Sequence, residues 1–191
     1  MARAGLATLI ARWRRLVDDP AGDDATWSDD EAQELLDAHG ETVFQARLQP
    51  MRRMVDGVAQ TKRYLIPYAD IEEAGSGEDY FRVYDSIGTT IEPDEAGAGY
   101  TVDYAQGAVV FAVDQEGFDR YVDLRVYDLN AAAAEAWRER AGAKAGLYSF
   151  SSEGSSFQRQ QWFDHCEAMA RRYDQRTRPV TVAWERTDVR G

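Results

Sequence analysis

Residues 127–150 read YDLNAAAAEAWRERAGAKAGLYSF, and residues 151–179 continue SSEGSSFQRQQWFDHCEAMARRYDQRTRP. The first stretch predicts a helix over about 129–145: Ala131 to Ala134 give it strong intrinsic propensity and Trp137 supplies one large anchor. The second predicts a helix opening at Ser155, whose hydroxyl can accept the backbone N–H of Gln158 while the Gln158 side chain reaches back. Behind that capping box, Trp162, Cys166, Met169 and Tyr173 recur at steps of four, three and four, which is one helical face. Pro179 stops the helix after an Arg-rich last turn. With a Ser- and Gly-rich turn between them, the two helices read as an αα-hairpin carrying a core face.

Upstream, Leu6, Leu9, Ile10, Trp13, Leu16 and Val17 recur at helical spacing, with Arg12, Arg14 and Arg15 on other faces. This is an amphipathic helix ending near the DDPAGDD loop. Ser28 and Glu31 form another capping box, Leu35 and Leu36 face inward, and Gly40 supplies the C-cap. Asp29, Asp30 and Glu31 suit the positive end of that helix dipole. The order of acids in DPAGDDATWSDDE does not match a calcium-binding EF-hand loop.

From Thr42 the period changes. Segments 42–48, 62–71, 80–86, 100–104, 108–113 and 121–127 are rich in β-branched and aromatic residues and read as strands. Ala105-Gln106-Gly107 reads as a hairpin turn with Gly107 at positive φ. AGSGED and EPDEAGAG read as exposed acidic tips. Pro50 and Gly57 argue against a long helix over 49–63 without deciding between helical and extended. Val180, Val182 and Trp184 alternate with Thr181, Ala183 and Glu185, a strand pattern on a terminal arm.

The expected fold is therefore α+β. A helical bundle is formed by residues 1–48 and 127–178, an acidic strand-rich module is inserted over 49–126, and an extended arm covers 179–191. At 191 residues with 44% apolar content, the chain can bury a sizeable core. No apolar run is long enough to span a bilayer, and the N-terminus lacks a signal-peptide core. Its single cysteine, Cys166, excludes an intrachain disulfide framework and fits a reducing compartment.

Charge is unevenly placed. Residues 64–130 hold 3 Arg and 15 Asp plus Glu, an excess equal to the whole net charge of −12. This argues against nonspecific nucleic-acid binding, which needs phosphate-neutralising cations. It leaves open simple solubility or a functional acidic surface.

No motif supports an enzyme. Asp164, His165 and Cys166 are consecutive, so on a helix they point in different directions, and Cys166 lies on the apolar face. The ligands for zinc are missing, as are the phosphate-loop, dinucleotide and nucleophile-elbow motifs. No pair of carboxylates is singled out by spacing. We expect no catalytic residue, cofactor or metal.

The early LxxLIxRWRxLVDDP helix, WSDDEAQELLDAHG, YTVDYAQGAVVFAVDQEG, YDLNAAAAEAWRERA and SFQRQQWFDHCEAMARRYDQRTRP occur in a telling order. Over roughly residues 1–179, that order resembles the head–tail connector, or adaptor, proteins of tailed bacteriophages and related tailed viruses. The strand-rich acidic segment is larger than in the smallest members. The resemblance implies a virion neck protein, made in the host cytoplasm, that joins the portal protein as a ring, commonly twelve-fold. It would extend the DNA channel without binding DNA specifically and would offer a surface to the next neck or tail protein. An acidic channel wall would let DNA slide. Trp13, Trp137 and Trp162 read as core. Trp27, Arg178, Val180, Val182 and Trp184 read as candidate portal or subunit contacts, the arm by adding as a strand. The alternatives are an acidic regulatory or DNA-mimic protein that sequesters a basic partner, or an unrecognised hydrolase with converging carboxylates.

Overall fold

The computed structural model describes residues 1–74, 81–93, 99–143, 150–152, 155–157 and 159–177. A short 3-10 turn, Ala4–Leu6, leads into α1 (Ala7–Leu16), followed by α2 (Asp29–Ala38). Eight strands come next: β1 (Gly40–Arg47), β2 (Gln49–Val55), β3 (Val58–Leu65), β4 (Arg82–Tyr84), β5 (Thr90–Ile91), β6 (Tyr100–Asp103), β7 (Ala108–Phe111) and β8 (Tyr121–Tyr127). The chain then forms α3 (Leu129–Ala143), a small β9 (Phe150–Ser152) and β10 (Ser155–Phe157) pair, and α4 (Arg159–Asp174).

The class is α+β, but the expected helical bundle with a strand-rich insertion is not the architecture. Among the described residues, four α-helices of at most 16 residues accompany two antiparallel four-stranded sheets, ordered β1-β8-β4-β5 and β2-β3-β7-β6. The strands are no appendage, because β1 pairs with β8 from Gly40↔Tyr127 to Arg47↔Tyr121, and β8 runs through Asp128 directly into α3. The sheets also close a core of their own. Val83, Val122, Leu124 and Val126 from the first meet Tyr64, Tyr100, Val109 and Phe111 from the second. Full burial of each such aliphatic side chain contributes about 1.5–3 kcal/mol.

A second core joins the helices. Leu6, Leu9, Ile10, Trp13 and Val17 pack with Leu35, Leu36, Leu129, Trp137, Cys166 and Tyr173. Trp13 meets Trp27 edge-on, with ring centroids 5.4 Å apart. The small side chains of Ala132, Ala133, Ala134 and Ala136 let α3 lie close against α1, α2 and α4. The predicted face of α4 holds: Cys166 and Tyr173 are buried, and Trp162 and Met169 pack half-buried against the same cluster.

Local signals fared unevenly. Ser28 caps α2 by accepting the Glu31 N–H at 3.2 Å, while Glu31 accepts the Ser28 N–H at 2.7 Å. The expected helix start at Ser155 is not found, since Ser155 belongs to β10 and pairs with Ser152, and α4 begins at Arg159. Gln158 lies outside the described residues. Asp128, unrecognised in the sequence, caps α3 by accepting the N–H groups of Asn130 and Ala131, both at 3.0 Å. Gly40 is not a left-handed cap: His39 closes α2 and Gly40 opens β1. Glycine suits that position because a Cβ there would stand 2.9 Å from the Tyr127 ring. Residues 49–63 are neither helical nor one extended run, but two strands joined by a turn at Asp56-Gly57.

Candidate functional site

β2 and β3 are joined by Asp56-Gly57, with φ of 51° and 82°. Two successive positive φ values define the type I′ turn that matches strand twist, and Asp-Gly is a preferred sequence for it. β3 pairs with β7 only from Arg63 to Leu65. Below that, Thr61 accepts the Gln115 N–H and donates its own N–H to the Asp114 carboxylate. Beyond Thr61 the hairpin leaves the sheet. Every residue from 49 to 59 is exposed, on both faces of the ribbon. Met54 and Val58 are 65% and 61% exposed, with Met51 and Val55 beside them.

The arm is also basic. Residues 47–63 hold Arg47, Arg52, Arg53, Lys62 and Arg63 against one acid, Asp56, in a chain of net charge −12. Arg47 pairs with Asp119 at 2.6 Å, and Arg63 reaches Gln106 at 2.8 Å. The side chains of Arg52 and Arg53 make no hydrogen bond or ion pair with any described residue. A lone two-stranded hairpin is marginal in water, and clustered exposed apolar groups mark a contact surface.

Away from the arm, two ion clusters tie the fold together, the first joining the helices to the sheets and the second joining α1, α2 and α3. In the first, Arg3 from the N-terminus binds Asp37 of α2 at 2.6 Å and Glu72 at 2.8 Å, and donates to the Tyr127 hydroxyl at 2.9 Å. Tyr127 in turn donates to Glu72 at 2.5 Å, with Glu72 only 3% exposed. Arg125 lies 3.2 Å from Asp37. Burial pushes the Tyr127 hydroxyl far up, and the neighbouring Glu72 carboxylate adds to the shift. Burial also acts to raise Asp37, but the hydrogen bond and charge of Arg3, with Arg125, outweigh it and hold the carboxyl below its usual range. Every member has an internal partner, so the cluster works as a clamp.

The second cluster corrects a reading of α1. Arg14, expected on a solvent face, is 6% exposed and binds Asp19 at 2.7 Å and Asp29 at 2.8 Å. Asp19 also receives Arg140 of α3 at 3.3 Å and the Thr26 N–H at 2.7 Å. Arg140 stacks over Trp27 and Trp137, at 4.9 and 5.1 Å from their centroids. Trp27, expected at a subunit contact, is thereby held inside its own chain at 7% exposure, with its Nε1–H on Glu139 at 3.3 Å. Arg178, Val180, Val182 and Trp184 lie outside the described residues, as do most of the two acidic tips.

Asp164, His165 and Cys166 diverge. Asp164 accepts from Gln160 at 2.8 Å, His165 is exposed with its ring perpendicular to that of Trp137, and Cys166 is fully buried. His39 instead meets Glu135 at 2.6 Å, linking α2 to α3. Among the described residues no group of three or more His, Cys, Asp or Glu is placed to hold a metal ion. Also among them, no helix is long and apolar enough to cross a membrane.

Sequence reasoning missed the arm, although its Asp-Gly turn was a usable signal. It also missed both clusters, whose members come from segments far apart in the chain. Compared with known proteins, the chain matches no family model, no curated protein and no solved structure.

Proposed function

We propose that this chain is a structural assembly subunit, a head–tail connector of a tailed virus that joins the portal as a ring and presents a surface to the tail. The observation that carries the reading is the β2–β3 arm, whose residues 49–59 are exposed at every position while the body behind it is locked by internal ion pairs. An apolar, basic projection on a rigid body is built to engage another macromolecule. The sequence of Asp128–Ala134 and that of Gly154–Tyr173 carry the resemblance to connectors most specifically. The strand pattern of Val180, Val182 and Trp184, with Arg178, is proposed as a portal contact by strand addition.

The test is co-sedimentation of the purified protein with the portal ring of the same genome, with and without residues 179–191. Stoichiometric pelleting that needs the terminal segment is the expected result. Failure of the full chain to pellet with a well-formed portal overturns the reading. It would shift the weight to an acidic regulatory protein that sequesters a basic partner.

A further inference from the structure

We propose that Asp56-Gly57, the turn of the β2–β3 arm, is a site of spontaneous covalent modification, where the aspartate converts through a cyclic imide to a β-linked isoaspartate. It is the one place in the chain where Asp or Asn precedes Gly. Glycine has no Cβ to shield its backbone nitrogen, so that nitrogen is the least hindered nucleophile a neighbouring carboxyl can meet. Asp56 is exposed, and its carboxylate makes no hydrogen bond or ion pair with any described residue. Chain neighbours apart, no atom of a described residue lies within 4 Å of where a Gly57 Cβ would stand. Asp85-Ser86, in the β4–β5 turn, makes the contrast. There the carboxylate accepts the N–H groups of Ile87 and Thr89, at 3.0 and 2.8 Å, and is not free to swing onto the next nitrogen.

In the reaction the Gly57 nitrogen attacks Cγ of the neutral Asp56 carboxyl. An N–Cγ bond forms, the Cγ–OH bond breaks, and the amide proton leaves with the hydroxyl as water. Water then adds back at either carbonyl of the imide. Breaking the bond from nitrogen to Cγ restores aspartate, whereas breaking the bond to the backbone carbonyl carbon leaves the main chain running through Cγ. No oxidant, metal or partner is consumed. Ring closure eclipses Cβ with the Gly57 nitrogen, which needs a ψ at Asp56 far from the roughly +30° of a type I′ turn. The hairpin must therefore open first. It is suited to that, being a two-stranded ribbon, marginal in water, whose residues 49–59 are all exposed. Isoaspartate puts one extra methylene into the main chain of a two-residue loop. The turn that fixes the pairing of Val55 with Val58 and of Met54 with Ala59 is then lost, so an aged copy presents a different arm. The chemistry does not depend on the connector reading.

The experiment incubates the full folded chain at neutral pH and body temperature and follows its tryptic peptide 54–62 by mass spectrometry. The expected result is a species lighter by one water, then a form of the original mass with altered retention and the fragmentation of a β-linkage. That form should also accept a methyl group from S-adenosylmethionine through an isoaspartyl methyltransferase used as a reagent. Peptide 83–120 should stay unmodified at Asp85. Asp56→Asn should speed the product several-fold, because an amide carbon is a better electrophile than a carboxylate and ammonia is the leaving group. Gly57→Val should suppress it even though the strained valine loosens the turn, because the branched side chain screens the nitrogen. Three results overturn the proposal: no product in peptide 54–62, equal product at Asp85, or more product in Gly57→Val than in wild type.

Discussion

Glu73 donates its backbone N–H to the Gly5 carbonyl at 3.1 Å, and a Cβ on residue 5 would stand 2.0 Å from the Glu73 carbonyl oxygen. The N-terminal turn and the segment after β3 are therefore in main-chain contact, and only glycine fits between them. Gly5→Ala should force the two backbones apart and destabilise the protein by about 1–3 kcal/mol. Urea unfolding followed by tryptophan fluorescence reads this directly. An unchanged midpoint would show that the contact is not maintained in solution.

Arg3 and Tyr127 both bind Glu72, but they are not equivalent. Removing the hydroxyl in Tyr127→Phe takes away the hydrogen bond it donates to Glu72 and the one it accepts from Arg3, but leaves Arg3 to compensate the carboxylate, a loss of about 1–2 kcal/mol. Removing the cation in Arg3→Ala leaves Glu72 charged and buried without its ion pair, and the expected loss is about 3 kcal/mol or more. Denaturant midpoints of the two variants should rank in that order. The reverse order would mean that the phenol governs the cluster.

The same clamp sets an acid limit. The Asp37 carboxyl titrates below its unfolded value of about 3.9. Its stabilisation is therefore complete above that value and is lost as pH falls through the lower folded one. Wild type and Asp37→Asn should differ most in urea midpoint near neutrality, and the gap should shrink as pH falls below the unfolded value toward the lower folded one. A gap that does not change with pH contradicts the pairing.

Gly57 separates the arm from the body energetically. At φ 82° a side chain is strained, so Gly57→Val should weaken the turn by about 1–2 kcal/mol. Because residues 49–59 bury nothing in either core, the global midpoint should hardly move. Amide exchange in the arm should accelerate while β7 and β8 stay protected. A large fall in global stability would show the hairpin to be part of the folding core.

Elements were legible where one segment held the whole signal. Ser28 with Glu31, the Trp162–Tyr173 face and the Ala105-Gln106-Gly107 turn each need only their own neighbours, and Gly107 does take a φ of 58°. Ser155 failed because its local capping pattern competed with pairing to Ser152, and the pairing won. Strand reading by alternation passed over the arm because residues 49–59 have no buried face to alternate with, which left the Asp56-Gly57 turn as its local signal. The bundle expectation failed on a non-local fact, the pairing of β1 with β8, which no period within 40–47 announces. The clusters were hidden for the same reason, since Arg3, Asp37, Glu72 and Tyr127 are single residues without a shared motif.

The pairing of Gly40 with Tyr127 also orders events as the chain leaves the ribosome. β2 with β3 and β6 with β7 are neighbours in sequence and can pair as soon as each is made. β1, whose one sheet neighbour is β8, must wait with both edges open until β8 has emerged. Closing so long a loop is slow, and an unpaired strand is prone to stray pairing in the interval. In the finished sheet β1 stays at the edge, and the bulge at Gln45, whose φ is 51°, interrupts that edge against stray pairing.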